Sequence, residues 1–210
     1  MKQQQGFTLV EIAIVLVIIG LLLGGVLKGQ EIITNAKVKN LENSVDGLAA
    51  AIYSYQDRYR AYPGDDDRAT RFNSVTNSIT KVGDGDGIIG GRFDSTTNTD
   101  ESNILWLHLR NSGLVSGEIA EGDTAAFSRP RNAFGGITGA ATSNSTGGKQ
   151  KGVDVAKITG TYIGFTNIPN PIAIILETRA DEGAVLKGSI QSNQADYATT
   201  TNLHQLFFAI

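Results

Sequence analysis

The chain has 210 residues, a formal net charge of −3 and no cysteine. That length suits one ordinary domain, and the missing cysteine excludes a disulfide scaffold, a thiolate metal site and a cysteine nucleophile. The mildly acidic balance, with a pI near 5.4, argues against a dedicated nucleic-acid binder, which carries a basic stripe. These averages conceal an uneven chain. Ile12 to Leu27 contains no charged or strongly polar side chain. Glycine is also high, at about 12% against a usual value of about 7%.

Phe7 to Leu27 is 21 residues with one charge, Glu11. As a helix this run spans roughly 30 Å, the thickness of a bilayer core. A secretory signal peptide fails on the length of the run and on Glu11, and no small-residue cleavage motif follows it. A plain transmembrane anchor accounts for the length but not for the acid at its start. A carboxylate inside a bilayer costs on the order of 2.5–3.5 kcal/mol and calls for a partner.

The order Gly6-Phe7-Thr8-Leu9-Val10-Glu11 ahead of an apolar helix resembles the class III signal of type IV pilins and pseudopilins. The resemblance implies that a prepilin peptidase cuts between Gly6 and Phe7 and that the new amine of Phe7 is methylated. It also implies an assembly role for Glu11, which matches the family's acid at the fifth mature position. Cleavage creates a cationic amine on an apolar helix, and Glu11 offers the compensating anion to a neighbouring subunit's amine. A pair across an interface is far less unfavourable in lipid than two isolated charges. Gly20, Gly24, Gly25 and Gly29 follow within ten residues, each costing a helix roughly 1 kcal/mol relative to alanine. Two explanations stand for them: close helix packing through small residues in lipid, and the local melting on filament entry that the resemblance implies.

Beyond Lys28 the pattern becomes amphipathic. Val38, Leu41, Val45, Leu48, Ile52, Tyr55 and Tyr59 recur at alternating steps of three and four, with Lys37, Lys39, Glu42 and Asp46 on other faces. That spacing predicts one helix with an apolar seam. A coiled-coil dimer is the alternative, but three heptads with weak edge charges argue against it, and the pilin resemblance implies a seam against the chain's own head. Tyr62-Pro63-Gly64 stops it. Residues 62–100 read as polar loop, and Asp65-Asp66-Asp67 as a solvated turn. A second helix is predicted from Ser102 to Asn111, capped by Asp100 or Thr99 and closed at Gly113. Residues 121–152 are again polar and glycine-heavy. Strands are expected around Thr161 to Phe165 and Ala184 to Ile190. The run Ile172 to Leu176 suits a buried strand, but Asn170-Pro171 opens it as a helix start, so a helix is favoured.

Gly83-Asp84-Gly85-Asp86-Gly87 is the one candidate ligand site. Two carboxylates two residues apart on a glycine-flexed loop can converge on a hard cation such as calcium, which needs several oxygens. Asp65, Asp66, Asp67, Asp94 or Glu101 would complete the shell. The alternative is a bare Asp/Gly turn. An EF-hand is not met, because Ile88 and Ile89 follow where oxygen ligands are needed. His108 and His204 stand without a serine motif or HExxH pattern, no phosphate-binding glycine loop is present, and Trp106 beside His108 reads as helix packing.

The resemblance implies an α+β, pilin-like fold: a long N-terminal helix packed against a small C-terminal head with an antiparallel β-sheet and long loops. Weaker landmarks of one prepilin-like subfamily run through the head: Gly29-Gln30-Glu31, Tyr62-Pro63-Gly64-Asp65, the 83–87 loop, Glu101 to Trp106, and Arg131-Asn132-Ala133-Phe134-Gly135-Gly136. The chain then divides into a leader at 1–6, a membrane and filament-core half-helix at 7–28, an amphipathic half at 29–60 and a head at 61–210. The implied function is structural and not enzymatic: a subunit of a type IV pilus or pilus-like filament, polymerised through its N-terminal helix. A pseudopilin of a type II secretion system and a minor tip pilin acting as a binding module are the alternatives. Implied partners are further copies of the chain, prepilin peptidase, an inner-membrane assembly platform and a separate ATPase motor. Nucleic acid is not expected, since losing Lys2 with the leader leaves 17 basic residues against 21 acidic. Before assembly the expected location is the bacterial inner membrane, in a single pass; afterwards it is an extracellular pilus or a periplasmic pseudopilus.

Overall fold

The computed structural model describes residues 8–73, 79–119, 124–143, 158–181, 188–193 and 203–210. Its elements are α1 (Leu9–Tyr59), α2 (Glu101–Asn111), β1 (Thr138–Ser143), β2 (Gly160–Pro169), α3 (Asn170–Asp181), β3 (Ile190–Ser192) and β4 (Leu203–Ala209), with short 3-10 turns at Ala69–Phe72 and Thr124–Phe127. The chain falls into two compact units, one ending at Lys39 and one spanning Asn40–Ile210.

The first unit is helical from Leu9 onward and continuous across Gly20, Gly24, Gly25 and Gly29. Its large apolar side chains between Leu9 and Ile33 are exposed, from 45% at Ile19 to 91% at Leu9. By length and composition this helix is able to cross a membrane. An ion pair, Lys28 to Glu31 at 2.7 Å, marks where the apolar stretch gives way to charge.

In the second unit α1 turns amphipathic, as the seam predicts. Leu41, Leu48, Ile52 and Tyr55 of that seam are buried, while Val45 and Tyr59 are half-buried. The helix ends at Tyr59, and Arg60 takes a left-handed φ of +59°. The break thus precedes Pro63 by a few residues.

The sheet is antiparallel throughout, in the order β1-β2-β4-β3. One face carries Phe208 and its register partner Ile190. These two side chains line one cavity with Leu176 of α3 and Val45 of α1, where Arg179 also reaches Glu42 at 3.5 Å. The opposite face carries Tyr162 and Phe207, which meet Phe93 edge-on at centroid distances of 5.5–6.3 Å. Phe93 fits there because Gly139 and Gly164 pair across β1 and β2. A Cβ on Gly164 would lie 2.4 Å from the Phe93 ring, and one on Gly139 would lie 2.0 Å from the Phe93 carbonyl oxygen.

Between Phe165 and Ile168 the β2–β4 register shifts in a bulge, with Asn167 at a φ of +60°. Asn132 closes this bulge. Its amide donates to the Thr166 carbonyl at 2.8 Å, and its Oδ1 accepts the Phe134 and Gly136 amides at 2.8 and 3.1 Å. The Arg131–Gly136 landmark is therefore a clasp on the sheet.

Helix α2 is buried from Ser102 to Arg110. Trp106 is core, as expected. Ile104 and Leu107 form a cluster with Ile79, Ala126 and Phe127. Asp100 stands at the N-cap position without a side-chain bond to the helix, and Gly113 has a φ of +75° beyond its end. The 170–181 run is the helix α3, not a strand. Of the strand expected at Ala184 to Ile190, residues 184–187 lie outside the described residues, and β3 begins at Ile190.

The described residues of the polar stretch 62–100 are loop apart from the 3-10 turn at Ala69–Phe72, but the solvated turn at Asp65–Asp67 is not what forms. Only Asp67 is exposed; Asp65 is 2% and Asp66 0% exposed. Asp66 is satisfied by the Tyr55 hydroxyl at 2.7 Å, the Arg68 amide at 2.9 Å and the Arg71 guanidinium at 2.8 Å. Burial, reinforced by the adjacent Asp66 carboxylate, pushes the Tyr55 phenol far above its ordinary pKa, so it stays a donor. His108 stacks on Tyr55 at 6.2 Å, accepts the Gly64 amide at Nδ1 and meets the Lys81 carbonyl at Nε2, each at 3.0 Å. This histidine is structural.

Tyr55→Phe removes the hydroxyl donor from a buried carboxylate. We expect a loss of about 1.5–3 kcal/mol, measured by urea unfolding of the detergent-solubilised chain. An unchanged midpoint would show that Asp66 does not depend on Tyr55.

Candidate functional site

Two places in the chain carry chemistry, and the first is the start of α1. Thr8 precedes the first helical residue and Glu11 follows three positions later. The Glu11 carboxylate accepts the Thr8 amide at 2.8 Å and the Thr8 hydroxyl at 2.7 Å, and the Thr8 hydroxyl oxygen accepts the Glu11 amide at 3.3 Å. This is a reciprocal capping box, which satisfies two backbone donors that an α-helix start otherwise leaves open. The pattern Thr-x-x-Glu before an apolar run is its sequence signature, and the charge-pairing account of Glu11 passes over it. Glu11 is thus held by its own helix start while its charge stays at the head of the apolar segment. Gly6 and Phe7 lie outside the described residues.

The second place is the loop after residue 82. Its course is set by backbone pairing with the corner that follows α1: the Gly83 amide donates to the Asp66 carbonyl at 3.2 Å, and the Gly85 amide to the Asp65 carbonyl at 3.0 Å. The two segments touch so closely that a Cβ on Gly83 would lie 2.2 Å from the Asp65 carbonyl carbon. Gly85 and Gly87 take φ values of +75° and +83°, a region closed to most side chains. Alternating with these glycines, Asp84 and Asp86 form successive Asx turns, accepting the amides of Asp86 and Ile88 at 3.2 and 2.9 Å.

Glu101, the first residue of α2, is wrapped by this loop. It accepts the Asp84 amide at 3.0 Å and the Gly90 amide at 2.6 Å. Asp65 accepts the Gly87 amide at 3.0 Å. One carboxylate oxygen from each of Asp65, Asp84, Asp86 and Glu101 lies within 4.8 Å of the others. Burial pushes the Asp65 carboxyl above its usual range and the charge of Asp86 adds to this, against the pull of the Gly87 amide. Glu101 is raised in the same way, by burial first, with Asp84 and Asp65 contributing against the Gly90 and Asp84 amides.

The structure sorts the five residues proposed to join Asp84 and Asp86. Asp65 and Glu101 do so. Asp66 is committed to Tyr55 and Arg71. Asp67 faces Arg68 at 3.5 Å on the surface, and Asp94 is clamped by Arg92 at 2.7 and 2.8 Å. Asp84, Asp86 and Glu101 open onto a cleft of about 330 Å³, so an ion and its waters have a way in.

Residues 1–27 match the family model for the prokaryotic N-terminal methylation motif, the segment characteristic of type IV pilins and pseudopilins. No curated protein and no solved structure matches the chain. The motif indicates a structural, pilin-type protein, processed by prepilin peptidase and assembled into filaments. The long N-terminal helix and the four-stranded antiparallel sheet are consistent with a pilin-like α+β fold, and the apolar helix fits a precursor anchored in the inner membrane.

Gly83→Ala tests how tightly the 83–87 loop is tied to Asp65. Its methyl group has no space, so the loop must move and stability should fall by about 1–3 kcal/mol, the usual cost of overpacking. Thermal unfolding by circular dichroism reads this out. An unshifted melting temperature would contradict the close approach.

Proposed function

We propose that the protein is a structural subunit of a type IV pilus or pilus-like filament, anchored in the inner membrane as a precursor and polymerised through α1. The supporting observation is the coincidence of three features in one segment. The methylation motif covers residues 1–27, the exposed apolar helix begins at Leu9 within it, and a single carboxylate sits at the third position of that helix. An apolar helix surface of this extent calls for lipid or for other apolar helices. In the membrane it has lipid; in a filament it has the same helix from further copies. Glu11 then pairs with the methylated amine of a neighbouring subunit at a depth where neither charge is tolerated alone.

Three variants test this reading. Gly6→Val should leave a full-length precursor on a gel, because the peptidase cuts after that glycine; normal maturation of this variant would refute the assigned cleavage point. Glu11→Ala should be processed and inserted yet be missing from sheared filaments. Glu11→Gln separates the two roles of this side chain, since glutamine keeps the capping box with Thr8 but loses the charge. Exclusion of the Gln variant from filaments is expected, and its normal incorporation would show that only the cap matters.

A further inference from the structure

We propose that Asp65, Asp84, Asp86 and Glu101 form a calcium site that ties together the corner after α1, the 83–87 loop and the first turn of α2. Their oxygens, within 4.8 Å of one another, span the width of a single coordination sphere. Calcium holds oxygens at 2.3–2.6 Å, so two ligands across the ion stand roughly 4.6–5.2 Å apart. Magnesium demands near-ideal octahedral geometry at 2.0–2.1 Å and keeps several of its waters, so it is held by one or two carboxylates and not by a cage of four. The donor set is carboxylate only. His108 is occupied elsewhere and cysteine is absent, so the chemistry is that of a hard cation and not of zinc or copper.

A second observation separates this arrangement from a mere cluster of surface acids. Asp65 is 2% exposed, and its Oδ1 has no hydrogen-bond partner. A buried carboxylate oxygen without a partner is costly, and the adjacent Asp66 shows how the same fold satisfies such a group with protein donors. On its other oxygen Asp65 accepts the Gly87 amide at 3.0 Å, and the Gly85 and Asp86 amides also favour its charged form. Among the described residues none of the four acids has a basic side chain in ion-pair contact. A divalent cation supplies what Arg71 supplies to Asp66. An Asx-turn account explains one oxygen each of Asp84 and Asp86 but leaves Asp65 unexplained.

The test uses the full-length chain in detergent micelles, stripped with a chelator and then titrated with calcium alone or magnesium alone. Calorimetry should show one calcium per chain, and millimolar calcium should raise the melting temperature, with re-chelation reversing the shift. The Asp84→Asn/Asp86→Asn double variant changes two exposed residues; it should fold like the parent without ions and bind calcium at least tenfold more weakly. Asp65→Asn should keep or gain stability in the ion-free state, because a buried charge is removed, and lose the calcium response. A purely structural role would instead lower its melting temperature equally with and without calcium. Absence of any calcium-dependent heat or melting shift in the parent chain overturns the site. An undiminished calcium response in the double variant overturns the ligand set, and an equal response to magnesium overturns the choice of ion.

Discussion

Two adjacent carboxylates buried at the corner after α1 are the constraint from which the second unit is organised. Asp66 meets it with protein groups, taking one hydroxyl, one amide and one guanidinium. That choice draws Tyr55 of α1 and Arg71 of the 3-10 turn to one point, with Tyr59 and Phe72 packed edge to face beside them at 5.2 Å. Asp65 points its unmet oxygen elsewhere, and the 83–87 loop folds back on its backbone to bring two more acids near it. A chain that buries two charges side by side must treat them differently, because one set of donors cannot serve both.

The consequences run into α2 and the sheet. Gly64, at a φ of +96°, sits where a Cβ would meet the Glu101 carbonyl oxygen at 2.4 Å, so the corner rests directly on the start of α2. Glu101 gathers the 84–90 backbone around its carboxylate. The same loop continues to Ile89, whose amide and carbonyl both bond Thr142 of β1, and then to Phe93 on the paired glycines of β1 and β2. Long polar loops are thus held by a few buried anchors, Ile79, Ile89 and Phe93, in a protein that has no disulfide to hold them.

The first unit obeys a different solvent. From Leu9 to Ile33 its large apolar side chains are exposed, which in water would be a liability and in a bilayer or helix bundle is a requirement. The capping box at Thr8 and Glu11 matters in that setting, since unsatisfied amides at the start of a helix cost more in lipid than in water. Glu11 therefore has a local role in starting the helix, beside the pairing role proposed for it between subunits.

The sequence by itself determined what depends on local order and periodicity. A motif at fixed spacing, an uninterrupted apolar run and a seam at steps of three and four translate directly into a methylation-motif match over residues 1–27, a membrane-competent helix and a buried helix face. The helices at 101–111 and 170–181 were legible for the same reason, through their caps and breakers. Strands β1 and β4 were not: Thr138–Ser143 is small and polar, with no alternation to mark it, and it is a strand because β2 offers it a partner. Phe93 and Ile89 gave no local sign of being core, since Phe93 rests on Gly139 and Gly164 and Ile89 is held by Thr142, all some fifty to seventy positions away. The tertiary structure alone decided which acids converge. Asp65, Asp66, Asp67 and Asp94 were equal candidates in the sequence, because carboxylates are chemically alike until burial and neighbours distinguish them. Only the folded chain gives Asp66 its tyrosine and arginine, gives Asp94 Arg92, leaves Asp67 in water, and sets Asp65 and Glu101 opposite Asp84 and Asp86.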